Sequence, residues 1–375
     1  MADLDPVEAH IADSFTAVDE VMWDELAGKA DPFLSHTFFA SLEDSKSIGG
    51  HSGWTALPLL VTRGGEAVGA APAFLKTHSQ GEYVFDHAWA DAWSRTGGDY
   101  YPKLQIAVPF TPVVGRRLLG PEPALVLAAA ESVVRQNDFS SAHVTFLTGE
   151  ETAEAEARGW LVRHGVQFHW HSAGETDFDG FLARCSSRKR KVIRKERAAA
   201  REGLTFRQLR GAEIGQAEMD AMWRFYQDTG SRKWGRPYLT RAFFDMAVER
   251  FGDQLLLFLA ERDGQPIAGA LNWVGADALY GRYWGCSEEV SFLHFELCYY
   301  QAIDWAIANG LGTVQAGAQG EHKLARGYEP VLTYSAHFIP HAGFRAAVAD
   351  FLVREREAMA HEVEALRAEL PFRKD

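Results

Sequence analysis

Cysteine is scarce in this chain, and the three present, Cys185, Cys286 and Cys298, are odd in number, far apart and form no Cys-x-x-Cys pair. That pattern excludes a disulfide framework and a ribbon-type zinc site, and it reads as reduced thiols in a cytosolic protein. Long apolar runs are missing too, so no transmembrane helix is expected. The amino terminus, MADLDPVEAH, is acidic and lacks the apolar segment of a signal peptide. Basic charge is the minority sign, with 38 Lys and Arg against 51 Asp and Glu and a formal net charge of −13. Such a balance disfavours a general nucleic-acid-binding surface. Neither a GxGxxG turn, a phosphate-binding Walker loop nor a GxSxG elbow occurs, so dinucleotide, P-loop and serine-hydrolase chemistry lack their anchors. His169 and His171 share a strand face with no third ligand nearby in sequence, and no metal is expected.

What is present is bulk and a repeat. With 375 residues and 47% hydrophobic composition, the chain exceeds the roughly 250–300 residues at which single cores stop growing, so two domains are expected. Leu57, Leu59, Gly64, Gly69 and Ala70 match Leu257, Leu259, Gly264, Gly269 and Ala270 at a constant offset of 200. Each set reads as a hairpin with a glycine turn, followed by a strand, a helix and another strand. The late strands are Ala142 to Leu147 and Thr313 to Ala316. Two copies of one mixed α/β domain follow, spanning 1–165 and 166–342, with an amphipathic helix over 343–375.

Several stretches carry candidate chemistry. Ser14 to Val18 reads as a strand, and Asp31-Pro32 opens a helix that ends at Gly49-Gly50. In GEYVFDHAWADAW the alternation predicts a strand, with Asp86, His87 and Asp91 as candidate ligand-binding groups beside structural or surface roles. YYPKLQIAV, which contains Lys103, is a strand leading into a loop over Pro112, Val113, Val114, Gly115, Arg116 and Arg117, then a helix from Ala124 to Asn137. Amides and paired arginines before a helix make a candidate phosphate cradle, or an ordinary loop.

Between the copies, residues 179–202 read as one helix crowded with cations, including Arg184, Arg188, Lys189, Arg190, Lys191, Arg194, Lys195, Arg197 and Arg201. A solvated face, attraction to anionic lipid headgroups and binding of a phosphate-rich donor such as coenzyme A or tRNA all fit this pattern. Further on, Trp234 and Tyr238 interrupt two helical runs and are candidates to line a channel. His294 and Glu296 sit in the first turn of the helix FLHFELCYYQAIDWAIANG.

The densest candidate is Thr313 to His337, where two strand-like runs flank Gln319, Glu321, His322, Lys323 and Arg326. Val331, Thr333, Ser335 and His337 share one strand face, the polar wall of a cleft. A solvated, charged turn is the plainer account of the connection between them.

These phrases, taken in order with PFLSHTFFASLEDS, SSRKRKVIRKER, RKWGRPYLT and GAQGEHKLARGYEPVLTYSAH, resemble the FemAB-like proteins of the GNAT superfamily across nearly the whole chain. The resemblance implies tandem GNAT-like domains and transfer of an acyl group from acyl-CoA to an amine. It also extends to bacterial ceramide synthases, which join a fatty acyl chain to a long-chain base. A cytoplasmic enzyme working at the inner membrane surface through helix 184–201 is the corresponding expectation. The aminoacyl-tRNA-dependent Fem transferases are the alternative, as is a non-catalytic recognition module for cell wall or lipid. The long coiled coil that holds tRNA in Fem transferases has no counterpart here, nor does either copy carry a clean Q/R-x-x-G-x-G/A loop. For such a reaction Glu321 or His322 is the candidate base, with His337 orienting it or sharing the role. Tyr299 or Tyr300 would protonate the leaving thiolate, while Lys323 and Arg326 would stabilise negative charge or bind donor phosphate.

Overall fold

Aromatic packing, not a strand, organises the first segment of the computed structural model, which describes residues 5–233, 237–318 and 320–373. The strand expected at Ser14 to Val18 is a 3-10 turn, Phe15–Ala17, and strand β1 lies earlier at Val7–Ile11. Ser14 Oγ accepts from the Ala17 amide at 3.2 Å, and Phe15 turns inward to stack on Phe39 at 4.5 Å. Helices α1 (Glu20–Ala27) and α2 (His36–Asp44) follow. Asp31 caps only a short turn at Pro32–Leu34; Ser35 is the residue that opens α2, which ends at Asp44, ahead of Gly49-Gly50.

Strands β2 (Trp54–Ala56), β3 (Leu59–Arg63), β4 (Glu66–Ala71) and β5 (Ala73–Lys76) include the expected hairpin around Gly64 and Gly65. The strand expected in GEYVFDHAWADAW does not form; its second half is helix α3, His87–Arg95. Tyr83 sits at φ 59° and breaks the extended run, while Glu82 and Asp86 both turn in to the Lys103 ammonium. Strand β6 (Lys103–Ile106), α4 (Pro123–Gln136), β7 (Ala142–Leu147) and α5 (Gly149–Ala157) complete this half.

The second half runs β8 (Leu161–His171), α6 (Phe178–Arg184), α7 (Ser187–Arg201), β9 (Thr205–Arg210), α8 (Gln216–Lys233) and α9 (Arg241–Phe251). A meander β10 (Leu255–Arg262), β11 (Gln265–Val274) and β12 (Ala278–Cys286) leads to α10 (Leu293–Phe295), a π-turn at Glu296–Tyr300 and α11 (Gln301–Ala308). Strands β13 (Thr313–Gln315) and β14 (Glu329–Phe338) and the long helix α12 (Ala342–Ala368) end the chain. The single basic helix expected over 179–202 is two helices, because Cys185 is extended and the Ser186 amide donates to Pro371 O at 2.9 Å.

The chain divides into two units, residues 1–165 with 332–361, and residues 166–331 with 362–375. In the first, the main sheet has the order β2-β5-β6-β7-β14, and β1-β3-β4 form a small second sheet. One of its apolar cores packs α4 on β3, β6 and β7 through Val126, Leu127, Ala130 and Val134. In the second, the order is β8-β13-β12-β11-β10-β9, with Phe168, Trp170, Phe258, Leu297 and Ile303 in the core. Each unit thus has a run of antiparallel pairs, then a helical crossover to a parallel neighbour, β6 to β7 and β12 to β13.

The two parallel pairs end differently. In the first unit β6 and β7 pair over Leu104–Ile106 and Ala142–Val144, and the chain after Ala107 then fills the space beside β7. Gly115 N donates to Phe146 O at 3.1 Å, and Arg117, wholly buried, donates its guanidinium to Val113 O and Arg116 O. The amides of Arg117 and Leu118 both donate to Glu151 Oε1, at 2.7 and 2.6 Å. In the second unit β12 pairs with β13 only over Ala278–Tyr280, although β12 continues to Cys286. A bulge places Arg282 between residues paired to Asn272 and Leu271, and a bulge bends its strand. Beyond Gly281 β12 continues to Cys286, paired on one side with β11 and on the other with no strand among the described residues.

Glu151 therefore holds the first unit's filled slot closed. Replacing it by Ala strips two buried amides and the α5 cap of their acceptor, and we expect about 2–3 kcal/mol lost in denaturant unfolding. Glu151→Gln should lose less; equal stability of both variants with the parent would contradict the assignment.

Candidate functional site

The segment after β13 folds into a 3-10 helix, Glu321–Arg326, because Gly320 enters it at φ 121° and ψ 89°. A Cβ on Gly320 would stand 2.6 Å from the His322 ring, so glycine is required there. The turn exposes Glu321 and His322 and buries Lys323, Leu324 and Arg326. His322 Nε2 and the Tyr299 hydroxyl share a hydrogen bond of 2.8 Å. Tyr299 comes from the π-turn, whose extra residue per turn brings Leu297, Tyr299 and Tyr300 inward together. Burial holds its phenol far above the usual tyrosine range, so it stays protonated.

The Lys323 amine donates to Gly317 O at 2.7 Å, just past β13. Burial lowers it to about 7, with the Arg282 charge adding in the same direction. His294 joins the cluster: its ring lies 5.1 Å from Trp284 on the diverging half of β12, 5.2 Å from Tyr299 and 6.0 Å from His322. Trp284, His294, Tyr299 and His322 thus form one cluster, with Lys323 next to His322 in the chain. Asn272 Oδ1, Gln315 Oε1 and the Tyr328 hydroxyl are buried without a hydrogen-bond partner among the described residues. Gln315 and Asn272 flank Gly281, next to the last residue of β12 that pairs with β13.

Neighbouring groups are committed elsewhere. Arg326 donates to both oxygens of Glu196 at 2.9 and 3.0 Å and to His322 O at 2.6 Å, and lies 3.4 Å over the Phe295 ring. It is a clamp: its two terminal nitrogens are taken by Glu196 and His322 O. The buried Nε, which has no partner among the described residues, is the donor not so used, so Arg326 does not present the guanidinium fork to a phosphate as the sequence reading expected. Tyr300 is wholly buried and donates to Glu196. Glu296 is wholly buried beneath Arg197 and Arg201. Glu321 is exposed and, among the described residues, bonds to nothing.

His337, expected beside Glu321, belongs instead to a cluster inside the first unit. Its Nδ1 lies 2.6 Å from His143 Nδ1, and the outer nitrogens meet Ser335 and Ser141 at 2.9 and 2.7 Å. One imidazole must donate and the other accept, which requires opposite tautomers. Burial, followed for His143 by Lys103 and for His337 by His143, pushes both well below the ordinary histidine range, His143 to about 3.

Next to the pair, Lys103 donates to Ser79, Glu82 and Asp86 at 2.9, 2.8 and 2.5 Å, and the Tyr100 hydroxyl donates to Asp86 at 2.7 Å. Burial raises Asp86, but Lys103, with His143 and the hydrogen bonds the carboxylate accepts, together more than reverse it and keep the carboxylate ionised. Burial brings Glu82 up to about 7 and Lys76 down to about 7. Asp86 and Lys103 are therefore internal ion-pair partners, whereas His87 and Asp91 are exposed on α3. In the cradle expected over Pro112 to Arg117, the amides of Gly115 and Arg117 are taken by Phe146 O and Glu151, and the Arg117 guanidinium turns back on the loop's own carbonyls. Arg116 donates to Leu118 O and Gly120 O, Arg188 is exposed, Lys189 is half-buried, and Arg194 pairs with Asp179. Tyr238 is exposed; Trp234 and Gln319 lie outside the described residues.

Sequence reasoning missed Glu196, Glu82, Lys76, Tyr100, His143 and Tyr328. Only Glu196 left a signal, as the lone acid within a run of cations.

A twice-repeated meander, crossover and parallel strand defines a tandem GNAT-like architecture. The chain belongs to the FemAB-like family, described as peptidoglycan biosynthesis/recognition, whose sequence profile matches residues 14–374. No curated protein matches it in sequence. Among solved structures, FemX aligns over 91% of this chain and all of its own, with a TM-score of 0.55 at 12% identity. L-PGS from Bacillus licheniformis aligns over 87% of this chain and 98% of its own, with a TM-score of 0.51 at 11% identity. A conserved protein of unknown function from Bacteroides thetaiotaomicron covers 88% of this chain and 99% of its own, with a TM-score of 0.53 at 11% identity. These likenesses are of fold.

The histidine pair makes a pH prediction. Both groups hold fewer protons folded than unfolded below about pH 6.5. Stability is then full above that value and falls as pH drops toward the depressed folded values. Chemical unfolding between pH 7 and 4 should show this slope, and His143→Gln with His337→Gln should flatten it; an unchanged slope in the double variant would contradict the origin.

Proposed function

We propose that the protein is an N-acyltransferase that moves an acyl group from acyl-CoA to a primary amine, with the chemistry in the second unit. The observation that carries this reading is the 2.8 Å Tyr299–His322 hydrogen bond, close to a β12 edge that pairs with no strand beyond Gly281 among the described residues, where we infer a donor slot; in the first unit the corresponding space is filled by Gly115 and Arg117. A strand edge offers amide donors to a thioester carbonyl, and polar groups with no protein partner stand at the slot's start.

The residues support a balanced cycle. The acceptor ammonium sheds one proton to solvent and its nitrogen attacks the thioester carbon. The oxyanion that forms takes hydrogen bonds from β12 amides and from Lys323 when protonated. His322 accepts the second nitrogen proton as the carbon–sulfur bond breaks. Tyr299, kept protonated by burial, donates its proton to the departing thiolate, and the 2.8 Å hydrogen bond lets His322 restore it. Amide and free coenzyme A leave, and the enzyme is unchanged.

The acceptor we favour is the amine of a long-chain base, which would make the product a ceramide; the cation-rich face of α7 supports a lipid substrate. Charged tRNA is the competing donor, because those same cations suit a polyphosphate. Thiol release from palmitoyl-CoA and acetyl-CoA, with sphinganine and small amines as acceptors, tests the reading. Release that depends on the amine and yields an N-acyl product is expected; release with none of the pairs would overturn it.

Two variant series sharpen the roles. His322→Ala should lower kcat by about 10²- to 10⁴-fold and Tyr299→Phe by at least about tenfold, with folding intact. Glu321→Gln should stay within about threefold, since the carboxylate contacts none of the reacting groups in this cycle. Normal turnover in both His322→Ala and Tyr299→Phe would sink the mechanism. Lys323 carries its proton below about pH 7 and loses it above. Lys323→Met should therefore cost more kcat at pH 6 than at pH 9, and an equal loss at both would remove Lys323 as the charged donor.

A further inference from the structure

Helix α7 has two unlike faces. Ile193, Glu196 and Ala200 are buried on one side, where Glu196 holds Arg326 and Tyr300. The other side exposes Arg188, Lys191, Val192 and Lys195, with Lys189 and Arg190 half-buried. Among the described residues Arg188, Lys189, Arg190, Lys191 and Lys195 form no salt bridge, whereas Arg194 pairs with Asp179 at 2.9 Å. No acid lies in the first turn of α7, so its cations crowd the positive end of the helix dipole. An isolated helix would be weakened by that arrangement; an anion placed against it relieves both charges.

Two apolar side chains stand out beside these cations. Val192 is 45% exposed at the edge of the face. Phe292 is 39% exposed at the head of α10, which packs against α7, and sits at φ 64°. Cations alone would suit any polyanion, but exposed Val and Phe among them gain only in an apolar medium under an anionic layer. The chain as a whole carries −13, so an anionic surface repels most of the protein and attracts this helix, which fixes orientation.

We propose that the outer face of α7 docks the second unit onto an anionic lipid bilayer. This deepens the acyltransfer reading by naming where a lipid amine is met. Glu196 on the inner face reaches the site in one further step, through Arg326 to the His322 carbonyl. The helix that touches the membrane also positions the segment that carries His322.

Flotation of the full-length protein with vesicles tests the docking without turnover. Vesicles of phosphatidylcholine and phosphatidylglycerol should carry the protein upward, those of phosphatidylcholine alone should not, and raised salt should release it. Each basic residue near the surface contributes about fivefold, so Arg188→Glu, Lys191→Glu and Lys195→Glu together should weaken binding at least about a hundredfold. Thermal unfolding of this exposed triple variant should match the parent. Val192→Ser, which removes the apolar contact without changing charge, should weaken vesicle binding and leave any tRNA binding unaltered. Absence of phosphatidylglycerol-dependent flotation, equal flotation of the triple variant, or binding of tRNA alone would overturn the proposal. Thiol release with a water-soluble amine reports on acyl transfer separately, so failure of one reading is told apart from failure of the other.

Discussion

The second unit depends on one buried carboxylate. Glu196 projects from α7, accepts two hydrogen bonds from Arg326 on the 3-10 turn and one from Tyr300 in the π-turn. Three elements distant in sequence are thereby tied at a single point. A carboxylate in that position is tolerated only because it is fully paired, and removing one partner would strand the rest at a cost of about 3–5 kcal/mol. The same knot commits Tyr300 and Arg326 to structure, while their neighbours Tyr299 and His322 bond to each other at 2.8 Å. Structure and chemistry are divided between adjacent residues, Tyr300 with Tyr299 and Arg326 with His322.

The first unit solves a like problem with a different cluster. Lys103 is wholly buried and is balanced by Glu82 and Asp86, with Lys76 close to Glu82 at 3.8 Å. Two ammonium and two carboxylate groups in a low-dielectric site cannot all hold full charge cheaply, and Glu82 and Lys76 are the members brought near neutrality. The His143–His337 pair completes the polar interior as two neutral rings. Trp89 closes over it, edge-on to His337 at 4.8 Å.

Local signals were readable in the sequence, and long-range ones were not. The matched hairpins at Gly64 and Gly264 are set by glycine turns between β-rich runs, information held within a dozen residues, and both formed. The strand expected in GEYVFDHAWADAW failed because period-two alternation cannot foresee that Lys103, beyond the next turn, will draw Glu82 and Asp86 inward. The His143–His337 contact joins residues 194 apart, and no spacing rule reaches that far. The π-turn is hidden for another reason: its single extra residue leaves the apolar stripe of FELCYYQAIDWAI intact, so the stripe reads as uninterrupted α-helix. The cation run was legible as an anomaly, but only the structure separates Arg197 and Arg201, consumed by Glu296, from the cations that face solvent.

Duplication explains why one copy can be spent on structure. A crossover from a meander to a parallel strand leaves a gap wherever the two parallel strands part, and a gap must be filled by protein, water or ligand. In the first unit a loop fills it, and Glu151 satisfies the amides that a ligand anion would otherwise have used. In the second, β12 bulges at Arg282 and runs on without a second strand partner among the described residues, while the glycine-flanked 3-10 turn brings His322 to Tyr299 of the π-turn. Both outcomes arise from the same topology, and what decides between them is the length and composition of the chain that leaves the central strand: proline-rich and arginine-plugged after β6, short and acidic after β12.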